Sequence, residues 1–169
     1  MTGPGQMIAL EMLEFLAQKR RITSFSSGAD FDRVALMLKF AIEDGTTQVI
    51  HIPAKMAKDI LGRGRHAAQH FKWKDLRGPK MPAKLQRFYA ERPDITAEDW
   101  QARDATGVPH SAIAHQLDAF QNGFIWTMWL TQDRPTLIWI DPEVMFELMD
   151  LLENALETGD LVDPSEAGA

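Results

Sequence analysis

The sequence predicts an α+β domain made of two pseudo-repeated (α)βββα units that form antiparallel sheet with flanking helices, separated by a basic insertion. Three observations lead there. Residues 33–61 and 123–156 share one pattern: an alternating run, a Gly-containing turn, a second apolar run, a proline and a helical stretch. An offset of 88 lays Ile52 over Ile140, residues 34–42 over 122–130, and Val49-Ile50-His51-Ile52 over Leu137-Ile138-Trp139-Ile140. At 169 residues, with 45% apolar and 25% charged side chains, the chain suits one well-filled core. The expected divisions of this single domain are a first unit over about 6–64, an insertion over 65–93, a second unit over 94–158 and an acidic tail over 159–169.

In chain order, residues 6–20 place Ile8, Met12, Phe15 and Leu16 on one side at helical spacing, and Lys19-Arg20-Arg21 suits a helix C-terminus. Residues 22–26 predict a short strand, and Ser27-Gly28-Ala29-Asp30 a turn. Val34, Leu36, Leu38, Phe40 and Ile42 alternate up to Asp44-Gly45, which predicts a two-residue hairpin loop. That loop would set Phe40 opposite Val49 and Leu38 opposite His51, with Val49 and His51 on the apolar side. Pro53 then opens a helix over 54–61 that stops near Gly62 or Gly64. The insertion is broken by Gly78-Pro79 and Pro82, with helical pieces at 66–73 and 83–89.

Thr96, ahead of Glu98 and Asp99, is placed to cap a helix running to 105. Ile113, His115 and Leu117 alternate before an Asn122-Gly123 turn. The second hairpin carries Phe124, Trp126, Met128 and Leu130 on one face and Ile125, Thr127 and Trp129 on the other, so both of its faces are apolar. Asp141, Pro142 and Glu143 are placed to start a long last helix, and Thr158-Gly159 to end it.

Charge is unevenly spread. Residues 55–92 hold 11 Lys/Arg against three acids, a net +8, leaving −14 for the rest of a chain whose total is −6. From Asp141 onward there are nine acids and no Lys or Arg. Such separation implies an anionic partner for the middle, or a contact between the middle and the acidic end. With no cysteine, disulfides, thiolate catalysis and Cys-ligated zinc are excluded, and a cytoplasmic setting is expected. No apolar run reaches the roughly 18 residues of a membrane span, so no membrane partner is expected.

The chemistry-bearing residues point away from an enzyme. His66 and His70 share a helix face at metal-ligand spacing but lack a third ligand and sit among cations, so no metal or other cofactor is expected. His110 and His115 fall on opposite faces of an extended segment and read as structural, and His51 as a satisfied histidine at the core margin. Ser24, Ser26 and Ser27 lack a nucleophile-elbow pattern, and Gly62-Arg63-Gly64-Arg65 lacks the Lys-Ser/Thr pair of a phosphate loop.

The reading is a non-catalytic protein-interaction or regulatory module of bacterial or phage type. It would bind itself or another protein through Trp129, Ile125, Ile138 and Ile140 of the doubly apolar hairpin. One alternative is a nucleic-acid-binding protein, with Arg63, Arg65, Lys72, Lys74, Arg77, Lys80, Lys84 and Arg87 on phosphates and Trp73 stacked on a base; a further alternative, held by default and without a motif, is an enzyme of unknown class. Against the nucleic-acid alternative stands a plainer one, a solvated basic face with Phe71, Trp73 and Phe88 tucked into the core.

Overall fold

The structure, a computed structural model, describes residues 19–29, 33–73, 83–100, 114–129 and 135–163. Within them lie β1 (Ile22–Ala29), β2 (Ala35–Ile42), β3 (Thr47–Pro53), α1 (Ala54–His70), α2 (Ala83–Ala90), β4 (Ala114–Phe120), β5 (Gly123–Trp129), β6 (Pro135–Ile140) and α3 (Pro142–Thr158). The strands make two three-stranded antiparallel sheets, ordered β1-β2-β3 and β4-β5-β6, so the class is α+β as expected. The helix predicted over 6–20 falls almost wholly outside the described residues, as do Leu130, Ile113 and the end of the acidic tail. Among the described residues no helix is long and apolar enough to cross a membrane.

The first hairpin differs from its expected register by one residue. Its loop has three residues, Glu43-Asp44-Gly45. The Gly45 N–H donates to the Ile42 carbonyl (2.9 Å) and the Ile42 N–H to the Thr46 carbonyl (2.9 Å), with Gly45 left-handed at φ 89°. This is a type I turn followed by a glycine bulge. Of the three loop residues only Gly45 takes a positive φ. Asp44 instead uses its carboxylate to accept from the Thr46 hydroxyl and N–H, which holds its pKa below the usual carboxylate range. Leu38 therefore pairs with Ile50 and Phe40 with Gln48. A slip of one residue exchanges the two faces of a strand. Ile50 and Ile52 join Leu36, Leu38 and Phe40 in the core, while His51 lies across from Met37 and Val49 across from Lys39, on the other face.

That other face is covered by the chain itself. Ser26 Oγ donates to the Pro93 carbonyl, and Lys39 Nζ reaches the Asp94 carbonyl (2.9 Å) and Asp99 Oδ2 (2.9 Å). Thr96 and Asp99 cap one another: the Thr96 N–H donates to Asp99 Oδ2 (2.8 Å) and the Asp99 N–H to Thr96 Oγ1 (3.4 Å). Burial pushes the Asp99 carboxyl up, but the Thr96 N–H and Lys39 outweigh it and hold the pKa below the ordinary value. Met37 and His51 are fully buried in the chain. β1 runs on through Ser27-Gly28-Ala29, where a turn was expected. At Gly28 a Cβ would meet the Trp100 ring at 3.0 Å, so the glycine serves close packing there.

α1 also outruns its expected end, continuing through Gly62 and Gly64 to His70. A helix-interior glycine costs about 1 kcal/mol relative to alanine. Gly64 lies against α3: a Cβ there would overlap Met149 Sδ and meet the Met145 terminal methyl at 3.1 Å, so these methionine ends would have to move aside. α3 begins at Pro142 and ends at Gly159 (φ 83°), as predicted. Asp141 holds the N-cap position, but its carboxylate accepts from Trp139 Nε1 (2.9 Å) rather than capping the helix.

In the second sheet the loop is Gln121-Asn122, and Gly123 is already paired with Phe120. A Cβ on Gly123 would come within 2.6 Å of the Trp139 ring. Phe124, Trp126, Met128, Ile138 and Ile140 face the main core, while Ile125 and Trp139 form a smaller cluster with Phe120 and Leu137 behind. The two sheets meet through Phe40 and Trp126, ring centroids 5.9 Å apart and edge to face.

Candidate functional site

The separated charges of the sequence meet in the fold. α1 and α3 pack together, with Arg65 paired to Glu153 and Lys58 Nζ 3.3 Å from Asp163 Oδ2. Arg63 pairs with Asp59 one turn earlier (3.1 Å), and Arg87 bridges Glu43 (2.8 Å) and Glu91 (2.6 Å). The hydrogen bonds to those two carboxylates, Glu91 first, raise the Arg87 pKa further. Tyr89 donates its hydroxyl proton to Glu147 of α3. These pairs are solvent-exposed, and each stabilises by no more than about 1 kcal/mol. Their significance is that part of the basic surface is neutralised within the chain.

Alongside α1, a polar chain links the helix to the second sheet. Trp126 Nε1 lies 3.1 Å from His115 Nδ1, and His115 Nε2 lies 3.0 Å from Asp59 Oδ2. An indole N–H can only donate, so Nδ1 is the acceptor and the neutral imidazole carries its proton on Nε2, facing Asp59. Burial lowers the His115 pKa. The Asp59 charge and hydrogen bond oppose that lowering, and Arg63 adds to it. Both ring nitrogens are engaged, so His115 fastens the edge strand β4 to α1.

The C-terminal half of α1 stands between two grooves. Toward β4, a groove of about 520 Å3 is lined by Lys58, Arg63, His66 and His70 above Phe71 and Leu117. Toward α3, one of about 650 Å3 is lined by Arg65, Ala68, Lys72, Phe146, Met149 and Glu153. Volumes of this order are typical of ligand and peptide sites. Phe71 and Phe146 are half-buried at the groove walls. His66 and His70 do share a face, their rings near parallel (11°) with centroids 6.1 Å apart. Among the described residues no three His, Cys, Asp or Glu side chains converge on a metal position.

The residues singled out from sequence are not brought together. Ile125, Ile138 and Ile140 are buried within the single chain, the first in the cluster behind β5 and the others in the main core, and only Trp129 is half-accessible. A doubly apolar hairpin looks the same in sequence whether its own chain or a partner covers it. Trp73 is fully buried, its Nε1 donating to the Gln121 carbonyl (3.0 Å) and its ring edge to face with Phe124 at 5.0 Å. It therefore offers no free face to a base, and with Phe88 it belongs to the core. Lys72 is exposed at the end of α1 with φ 55°. Lys84 lies in α2, and Lys74, Arg77 and Lys80 lie outside the described residues. Sequence reasoning missed Asp59 and the linking role of His115. The two residues are remote in the chain and meet only in the fold, where His115 stands between Trp126 and Asp59. No protein-family model matches this chain, and no curated protein matches its sequence.

Proposed function

We propose that this chain is a non-catalytic protein-interaction module, built by duplication of a strand–strand–helix unit, that engages its partner with the C-terminal half of α1. The observation that carries the reading is the pair of grooves flanking that half-helix, each combining a half-buried aromatic ring with charged side chains. Mixed apolar and charged rims of this kind are the anatomy of a protein interface. The second hairpin is spent on the core, which moves the expected surface from the strands to the helix.

Three features support the duplication. α1 and α3 are each 17 residues long and begin 88 positions apart, at Ala54 and Pro142. β2–β3 and β5–β6 pair in the same register under that offset: Leu38 with Ile50 corresponds to Trp126 with Ile138, and Met37 with His51 to Ile125 with Trp139. The buried His51 thus stands where the other unit has a buried Trp139. With α1 running to His70, the first unit extends beyond the expected end at 64, and residues 71–93 read as the insertion between the two units.

Nucleic-acid binding is the weaker reading, because Arg63, Arg65 and Arg87 already hold carboxylates and Trp73 is buried. The test uses steric plugs at exposed positions of α1. G62W should fill the β4-side groove and Q69W the α3-side groove, with unchanged circular dichroism. Protein captured by the wild-type chain from its host should be lost with one or both plugs. Capture indifferent to both, or capture of nucleic acid alone, would refute the proposal.

A further inference from the structure

We infer that His66 and His70 form a binding site for a divalent first-row transition-metal ion on the exposed face of α1, independently of the partner reading above. Both residues are exposed and lie about one helical turn apart, so their side chains leave the helix on one face. Their rings are 11° from parallel, with centroids 6.1 Å apart. Among the described residues neither ring enters a hydrogen bond or an ion pair, so each neutral imidazole has a nitrogen lone pair to offer.

Two histidines at this spacing are the helical half of a zinc-binding motif, in which both reach one ion at metal–nitrogen distances of about 2.0–2.1 Å. The rings close on the ion by turning about their side-chain bonds, and the space for that turn is present. Helix side chains lean toward the N-terminus, so His66 lies over the turn that carries Gly62, where even a Cβ would have no atom within 4 Å. Phe71 packs on His70 with ring planes at 83° and centroids 4.7 Å apart, which restricts the freedom of that ring.

Neighbouring cations argued against a metal in the sequence, and the fold weakens that objection. Arg63 is paired with Asp59, Arg65 with Glu153 and Lys58 with Asp163, while Lys72 lines the groove on the other side of α1. The charge that would repel an ion at this face is thereby reduced. Ligand type then sets the ion: imidazole nitrogen suits copper, nickel and zinc, whereas magnesium and calcium take oxygen ligands. Two histidines leave the remaining coordination positions to water. His115 does not join them, because both of its nitrogens are engaged, and His51 is fully buried.

The test is a calorimetric titration of untagged, chelator-treated full-length protein with Cu(II), Ni(II), Zn(II) or Mg(II), at about pH 7.5 so that protons do not compete for the ligands. One Cu(II) should bind per chain, more tightly than Ni(II) or Zn(II), with no binding of Mg(II) at the same concentrations. Removing either ligand turns a chelate into a single-imidazole contact, so H66A and H70A should each weaken Cu(II) binding about tenfold or more. Alanine is a good helix former at these exposed positions, and metal-free melting verifies that both variants keep the fold. Electron paramagnetic resonance of the Cu(II) protein should show two nitrogen ligands, a pattern lost in both variants. Absence of saturable binding, an affinity matched by free imidazole at twice the protein concentration, or binding unchanged in H66A or in H70A would overturn the inference. Binding lost in H110A instead would place the ion at another histidine and overturn it equally.

Discussion

Replacing His115 by leucine tests the polar link between α1 and the second sheet. The side chain is largely enclosed, at 12% exposure, and it supplies the acceptor for Trp126 Nε1–H and the donor to Asp59. Leucine keeps most of the volume but removes both functions. Trp126 is fully buried, so its N–H is left without that partner, at a cost of about 1–3 kcal/mol. Asp59 keeps Arg63, and its exposed share of the loss adds little. Urea unfolding should therefore show H115L less stable by about 1–3 kcal/mol with an unchanged m-value. The pH dependence fixes the sign. Burial makes the folded-state pKa lower than the unfolded value near 6.5, so the unfolded chain takes up the proton first as pH falls. The contribution of His115 is fully present above about pH 6.5 and is lost as pH drops toward the lowered folded value. Across that window the wild type should lose stability relative to H115L. A difference within about 0.5 kcal/mol at pH 7.5, or one that does not change with pH, would refute the linkage.

Other perturbations follow from the same contacts. G62A should stabilise by up to about 1 kcal/mol, since the added methyl meets open space on a helix, whereas G64V should destabilise by about 1–3 kcal/mol by overpacking against Met149, both read by thermal melting. W73A should cost about 3–5 kcal/mol in denaturant unfolding and flatten the near-ultraviolet circular dichroism, as a core residue would; a cost below about 1 kcal/mol would mean that Trp73 is not in the core. R65A should cost no more than about 1 kcal/mol, and the loss should shrink between about 50 and 500 mM salt; a larger, salt-independent loss would mean that the pair with Glu153 is not the exposed contact described.

What the sequence revealed of the fold was local, and what it hid was tertiary. Alternation around Leu36, Leu38 and Phe40 and around Ile138 and Ile140 marked strands, and Pro142 and Gly159 bounded α3, because those signals sit in neighbouring residues. The first hairpin slipped by one residue because Asp-Gly is compatible with two loop types, and Asp44 chose to hydrogen-bond Thr46 rather than adopt a positive φ. Gly62 and Gly64 looked like a helix stop; Gly64 instead lies against the methionines of α3, a contact remote in the chain, while Gly62 stands in open space. Of the hairpin residues expected to form a binding face, Ile125, Ile138 and Ile140 are covered by the chain itself while Trp129 is not, because exposure depends on what else the chain lays over them. Of the candidate site, Arg63, Arg65 and the same-face pair His66 and His70 were legible, while the grooves around them exist only once α1, β4 and α3 are in place.

The central claim is that α1, not the second hairpin, meets the partner. A photoreactive phenylalanine analogue introduced at position 69 or at position 129, in cells of the native host, compares the two surfaces directly. The account predicts protein adducts from position 69 and few from position 129. Adducts from Trp129 alone would return the interface to the hairpin and contradict it.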